Sequence, residues 1–176
     1  CPRRTLRANE RSVTDYLGRQ AAEVDFAEEF EYLCQSIEIR VQRHHLRFVT
    51  SKPLKKLRVS IDIGRVRQIF SNFVSNALKY TKKGSIWVGY RLEKRNGQMG
   101  IYAFCEDTGA GIPHDKKKAV FDRFVKLNEF VQGTGLGLSI CKSIVTACHG
   151  DIGVESEVDK GSKFWFWIPV EVIEKE

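Results

Sequence analysis

The chain has 176 residues, 42% of them hydrophobic, which is enough for one domain of ordinary size with a buried core. Twenty-nine Lys and Arg against 22 Asp and Glu give a formal charge of +7, which attracts phosphate-bearing ligands in general and, taken alone, leaves even nucleic acid open. Five cysteines, odd in number and without paired metal-ligand spacing, argue against a disulfide framework or zinc site and for reduced thiols in the cytosol, and no apolar run approaches the ~20 residues that cross a bilayer.

Residues 1–22 are polar, basic and weakly periodic, and are expected to be a linker or the end of a helix from a preceding dimerisation domain, with the folded domain at 23–176. Asp25 can cap a helix whose third position is Glu28, and Phe26, Phe30, Leu33, Ile37 and Val41 recur on one face of it. Residues 46–50 and 57–61 read as short strands around a Ser51-Lys52-Pro53 turn, after which Asp62 can cap a second, longer helix. Past Gly84, the alternation of Ile86, Val88, Tyr90 and Leu92 predicts a strand, Asn96-Gly97 a tight turn, and 99–106 the returning strand of a hairpin. A helix is expected from 136 to about 147, and strands over 153–156 and 163–170 close the domain. Strands and helices mix without a fixed repeat, so the expected fold class is α/β: a two-layer sandwich in which a mixed, largely antiparallel sheet backs three main helices.

On the helix after Asp62, Val66, Ile69, Phe70, Phe73, Val74, Ala77 and Leu78 form one wide apolar face. Gln68, Asn72 and Asn76, four residues apart, line a neighbouring ridge, with Arg65 and Lys79 three residues beyond either end. Amide oxygens can ligate a hard cation such as Mg2+, and a lysine one turn on would meet phosphates; the pattern equally fits the wet side of an ordinary amphipathic helix.

The 99–106 strand runs into Asp107-Thr108-Gly109-Ala110-Gly111-Ile112-Pro113. An ionised aspartate only accepts hydrogen bonds, so it suits the exocyclic amine of adenine and rejects the guanine carbonyl, although Asp-Gly turns are also common on surfaces. The later run Gly133-Thr134-Gly135-Leu136-Gly137-Leu138 lacks both the Gly-Lys-Ser/Thr ending of a phosphate loop and a preceding strand. It opens an amphipathic helix, whose unpaired N–H groups can face an anion. His44, His45, His114 and His149 lie at helix ends and turns and read as structural or solvated. In Phe164-Trp165-Phe166-Trp167 successive residues face opposite sides of a strand, one side being core.

Taken in order, these stretches resemble the ATP-binding catalytic domain of sensor histidine kinases, in the superfamily that includes a heat-shock chaperone, DNA gyrase and mismatch-repair ATPases. Asp62 to Thr81 is similar to the family's asparagine box and Glu106 to Pro113 to its first glycine box. Val120 to Phe124 is similar to its phenylalanine box, and Gly133 to Ile140 to its second glycine box. The resemblance implies a Bergerat-type ATP-binding fold with ATP and Mg2+ as cofactors. By position it implies Mg2+ on Asn76, a metal-bound water on Gln68, a wall of the nucleotide site at Tyr80, and catalytic phosphate contacts from Asn72, Lys79 and Lys126. Asp107 would read adenine, with Gly109, Gly111 and Ile112 fitting closely beneath the base and Ser162 nearby. Gly133, Thr134, Gly135, Leu136 and Gly137 would form a lid over the phosphates.

Asn72 stands where chaperone and gyrase relatives carry a glutamate general base, and an amide cannot take a proton from water. The resemblance therefore implies transfer of the γ-phosphoryl group to a histidine in place of hydrolysis. The chain departs from the family pattern in having Lys126 for an arginine, only residues 127–132 between that segment and the second glycine box, and no histidine followed by an acidic residue and proline. Implied partners are a dimerisation domain carrying the phosphoacceptor histidine and the receiver domain of a response regulator, without nucleic acid. The implied location is cytoplasmic, the membrane entering only through other parts of a parent sensor in the inner membrane. An anti-sigma-factor-like serine kinase, a nucleotide-dependent switch and a degenerate adapter domain remain alternatives.

Overall fold

The computed structural model describes residues 21–122 and 137–176. In chain order the elements are β1 (Ala22–Asp25), α1 (Phe26–Arg43), β2 (Arg47–Ser51), β3 (Leu57–Ile61), α2 (Ile63–Tyr80), β4 (Ser85–Arg95), β5 (Gln98–Asp107), a 3-10 turn (His114–Ala119), α3 (Gly137–Ala147), β6 (Asp151–Glu157), β7 (Gly161–Pro169) and β8 (Glu171–Lys175).

Both long helices start where the sequence places a cap. The Asp25 carboxylate accepts the Ala27 N–H at 3.1 Å, and the same oxygen accepts the Leu57 N–H at 3.0 Å, tying the start of α1 to the start of β3. Asp62 accepts the Arg65 N–H at 3.2 Å and so turns the end of β3 directly into α2. The β4–β5 hairpin closes through Asn96 and Gly97, both with positive φ (51° and 78°), the conformation that an Asn-Gly pair adopts at least cost.

Five strands form a mixed sheet in the order β2-β4-β5-β7-β6, antiparallel except that β2 lies parallel to β4. Three more form a small antiparallel sheet, β1-β3-β8. This differs from the single sheet expected. The two strands on either side of Ser51-Lys52-Pro53 do not pair with each other: β2 joins the large sheet and β3 the small one. The five residues between them are too long for a tight hairpin, and the Lys55 and Lys56 N–H groups donate to the Glu176 carbonyl at 2.8 and 3.2 Å. Short edge strands β1 and β8 complete the small sheet around β3, whose Leu57, Val59 and Ile61 are buried. Strand β1 begins at Ala22.

The helices cover one face of the large sheet. Phe70 of α2 is fully buried between Phe30 of α1 and Phe166 of β7, with ring centroids 5.8 and 5.6 Å away. Phe73 packs beside it on Phe164. The alternation in 164–167 is as expected: Phe164 and Phe166 face this core, while Trp165 and Trp167 join Tyr102 and Phe104 on the opposite face. There Arg91 stacks over Tyr102 and Arg95 over Trp165, the Trp167 indole N–H bonds the Glu93 carbonyl at 2.9 Å, and the aromatic patch is partly shielded from water.

Phe70→Ala is expected to lower unfolding free energy by about 3–5 kcal/mol, from lost transfer energy and a residual cavity. Urea denaturation checks this; a change under about 1 kcal/mol would contradict the packing described.

Candidate functional site

The polar ridge of α2 exists because the opposite face is consumed by the core: Val66, Ile69, Phe70, Phe73, Val74 and Ala77 are all buried. Gln68, Asn72 and Asn76 are left half-buried and Lys79 exposed, one turn apart along the helix. Their engagements differ. The Gln68 amide oxygen accepts Arg65 Nη1 at 2.8 Å. Asn72 donates through Nδ2 to the Gly137 carbonyl at 3.2 Å and to Cys141 Sγ at 3.5 Å, fastening the first turn of α3 against α2. The Cys141 thiol, pushed up to about 12 by burial, stays protonated and serves as structure. Asn76 and Lys79 form no hydrogen bond or ion pair with any described residue, so an amide oxygen and an ammonium one turn apart are available to a ligand.

Asp107 lies beside the end of α2. It is 4% exposed at the end of β5, and Oδ1 accepts the Gly109 N–H at 2.9 Å. Burial raises its pKa above the ordinary carboxylate value; the Gly109 and Ser162 N–H groups and the nearby Thr81 hydroxyl oppose that shift by favouring the anion. Thr81 Oγ1 is close enough to act on this charge electrostatically, yet it is buried without a hydrogen bond of good geometry. A buried acceptor beside an orphaned buried hydroxyl fits the edge of a purine, where an amine and a ring nitrogen lie side by side.

The loop after Asp107 is stapled to the end of α2. Ala110 N–H donates to the Tyr80 carbonyl at 3.2 Å, Thr108 N–H to the Ser85 carbonyl at 3.3 Å, and Thr108 Oγ1 to the Lys83 carbonyl at 3.2 Å. A Cβ on Gly109 would fall on the Tyr80 carbonyl oxygen, and one on Gly111 (φ +74°) on that of Glu157. The close approach these glycines permit is thus between backbone segments, which seats the loop. Ile112 is buried in the core, and its N–H donates to Ser156 Oγ at 2.8 Å. Ser156 in turn bonds the Gly161 carbonyl at 2.9 Å and Ser162 Oγ at 2.7 Å, so Ser162 lies behind Asp107 as a brace for the loop.

The structure therefore brings Asn72, Asn76, Lys79, Tyr80, Asp107, Gly109 and Gly137 around the C-terminal half of α2. Lys126, Gly133, Thr134, Gly135 and Leu136 lie outside the described residues. Thr81 and Ser156 are additions; Thr81 ends the asparagine-box stretch, whereas nothing in the pattern of a strand serine marks Ser156. No group of three or more His, Cys, Asp or Glu side chains able to hold a metal occurs among the described residues, so a cation here relies on amide, water and ligand oxygens, as Mg2+ does beside phosphates. The described residues thus present a buried acceptor and hydroxyl at Asp107 and Thr81, an amide oxygen at Asn76 and an ammonium at Lys79.

The sequence model of the family described as "Histidine kinase-, DNA gyrase B-, and HSP90-like ATPase" matches residues 61–172. The chain is similar to the adaptive-response sensory kinase SasA of Synechococcus sp. (strain JA-2-3B'a(2-13)), 38% identical over 146 residues, which are 78% of this chain and 38% of that protein. It is also similar to the sensor histidine kinase WalK of Bacillus subtilis (strain 168), 35% identical over 132 residues, 73% of this chain and 21% of that one. Among solved structures, ShkA in complex with AMPPNP superposes with a TM-score of 0.73 at 28% identity, covering 86% of this chain and 31% of that one. The catalytic domain of the histidine kinase ThkA gives 0.66 at 27% identity, covering 85% and 95%.

Two outcomes are expected of this geometry. Asn72→Ala should speed amide hydrogen exchange in the first turn of α3, since it removes both fastenings; unaltered exchange would show that the contact carries no weight. The raised Asp107 pKa means that the folded state holds this proton more tightly than the unfolded chain does, so its contribution to stability is present at low pH and is lost as pH rises from the ordinary carboxylate range through the folded-state value. The stability of Asp107→Asn should accordingly fall less steeply from acid to neutral pH than that of the parent, and parallel profiles in a thermal-melt series would contradict the burial argument.

Proposed function

Since the chain belongs to the family of histidine kinase-, DNA gyrase B-, and HSP90-like ATPases, we propose that it is the ATP-binding catalytic unit of a two-component sensor kinase. In this reading it passes the γ-phosphoryl group of Mg·ATP to a histidine on a separate dimerisation domain, for relay to a response-regulator aspartate. Residues 1–22 would connect the two domains. The chain spans 38% of the SasA and 21% of the WalK length, and in this reading the phosphoacceptor histidine and the input part lie elsewhere in a longer protein. Among the described residues no helix is long and apolar enough to cross a membrane. Because its proposed substrate is cytoplasmic ATP, this reading puts the unit on the cytoplasmic side.

The observation that carries the proposal is the convergence on α2 of an unengaged amide and lysine, a buried acceptor with its orphaned hydroxyl, and the start of α3. Bound Mg·ATP supplies the phosphoryl group and the neutralisation of its charge. Asp107 accepts from the adenine amine and discriminates against guanine, where an acceptor would face it. Asn76 offers its oxygen to the metal and Lys79 its charge to the phosphates, while Gln68 orders a metal-bound water. Lys126 and the loop 133–137 are assigned to the phosphate side by their positions in the family pattern. Asn72 cannot act as a base toward water, so the phosphoryl group is kept for an incoming imidazole. Catalysis of this kind is positioning and charge stabilisation, which suits a site built of amides, an ammonium and backbone N–H groups.

Titration with a fluorescent ATP analogue tests the reading: saturable binding is expected, tightened by Mg2+ and resisted by GTP competition, and no affinity with or without the metal would end it. In the intact kinase, Asn76→Ala should lower Mg2+-dependent autophosphorylation by at least roughly tenfold, as loss of a metal contact does, with the fold retained. Normal autophosphorylation would remove Asn76 from the metal site.

A further inference from the structure

Helices α1 and α2 end side by side. His44 caps α1, and three residues later the Arg47 N–H bonds the Gly84 carbonyl at 3.0 Å, just beyond the end of α2. Between the two helix ends opens a cavity of about 380 Å³ lined by Arg40, Arg43, His44, Ser75, Leu78 and Lys79. Arg40 reaches across it, its Nη2 donating to Ser75 Oγ at 2.6 Å. Arg40 also lines a second groove of about 430 Å³, to which α1 contributes Ser36 and α2 Ser71.

No carboxylate lines either space. Arg58, Arg67, Arg91 and Arg95 each find an acidic partner on the protein, whereas Arg40, Arg43 and Lys79 form no ion pair with any described residue. A helix C-terminus favours cations in its last turn, which accounts for the presence of Arg40 and Arg43 on α1 and of Lys79 on α2. It does not account for Arg40 spanning the gap, which turns a third positive charge into the same cavity against mutual repulsion. An arginine guanidinium matches a carboxylate with two parallel hydrogen bonds, and the serines offer further polar contacts to a bound chain. Outside the cavity α1 also carries Glu28, Glu29, Glu31 and Glu38, which repel a long uniform polyanion such as nucleic acid laid along that helix.

We propose that this cavity and the groove that shares Arg40 with it are a docking site for an acidic segment of a partner protein, whose carboxylates are received by Arg40 and Arg43. The site goes beyond the nucleotide reading; Lys79, on its edge, belongs to that reading, so the docking site rests on Arg40 and Arg43 and is tested apart from nucleotide binding. The positive charge of the whole chain speeds the encounter, and the fixed Arg40 sets its register.

The test is fluorescence anisotropy at low ionic strength, with the full chain and a short fluorescein-labelled peptide of alternating Glu and Ala, against its Gln counterpart. The Glu peptide is expected to bind and the Gln peptide not. Arg43→Glu should weaken binding about tenfold or more and Arg43→Lys by less, whereas Lys94→Glu, an equal charge change on the distant β4 hairpin, should stay within about twofold. Arg40→Gln should weaken it too, which guards against a fold defect peculiar to one variant; circular dichroism melting confirms that each is folded. Affinity for the fluorescent ATP analogue should be unchanged in Arg43→Glu. The proposal is overturned by absent Glu-peptide binding, by equal binding of the Gln peptide, or by equal weakening in Arg43→Glu and Lys94→Glu. It is overturned equally if inorganic phosphate at matched ionic strength displaces the peptide fully, or if Arg43→Glu abolishes nucleotide binding, which would make the cavity part of the nucleotide site.

Discussion

A carboxylate kept out of water at the end of β5 is the constraint from which the site follows. Asp107 is nearly inaccessible, and burial alone would push it toward the neutral acid, which is the wrong form for accepting from an amine. The surrounding backbone opposes that shift: the Gly109 and Ser162 N–H groups point at the carboxylate, and the loop that presents Gly109 must lie hard against Tyr80 to do so. That contact forces glycine at 109, and the next turn of the loop forces it at 111, where the Glu157 backbone leaves no space. Ser156 and Ser162 hold the far side of the same loop. A single electrostatic requirement thus fixes several residues that never need to touch a ligand.

Helix α2 is the strut that places this carboxylate opposite the amide ridge. It begins on the Asp62 cap at the end of β3, buries one face against the sheet and α1, and ends where the first glycine loop is bonded to it. Core packing and site geometry are therefore one problem. A shift of α2 by half a turn would expose Phe70 and Phe73 and carry Asn76 away from Asp107 together. The Asn72 bond to Gly137 extends the coupling to α3, so the middle of the amide ridge also holds the entrance of a neighbouring helix.

Much of this was legible in the sequence because the signals were local. Caps at Asp25 and Asp62, the apolar stripe of α2, the Asn96-Gly97 turn and the alternation through 164–167 each depend on neighbours within a few residues, and each appears where expected. The parallel pairing of β2 with β4 and the division into two sheets were not legible, because pairing is decided by distant partners and β1 and β8 are too short and too polar to announce themselves. Within the site, residue types with distinctive chemistry stood out, whereas Thr81 and Ser156 matter only through whom they meet across the fold. Ser162 and the two loop glycines were expected near a ligand; the structure gives them bracing work between backbone segments.

The most direct measurement of the central claim is a crystal structure of the chain with Mg2+ and a non-hydrolysable ATP analogue. The account predicts the adenine amine on the Asp107 carboxylate, the base edge reaching Thr81, and the metal on the Asn76 amide oxygen with Lys79 against the phosphates. A nucleotide seated elsewhere, or one whose base lies on Asp107 while its phosphates leave α2 untouched, would contradict it.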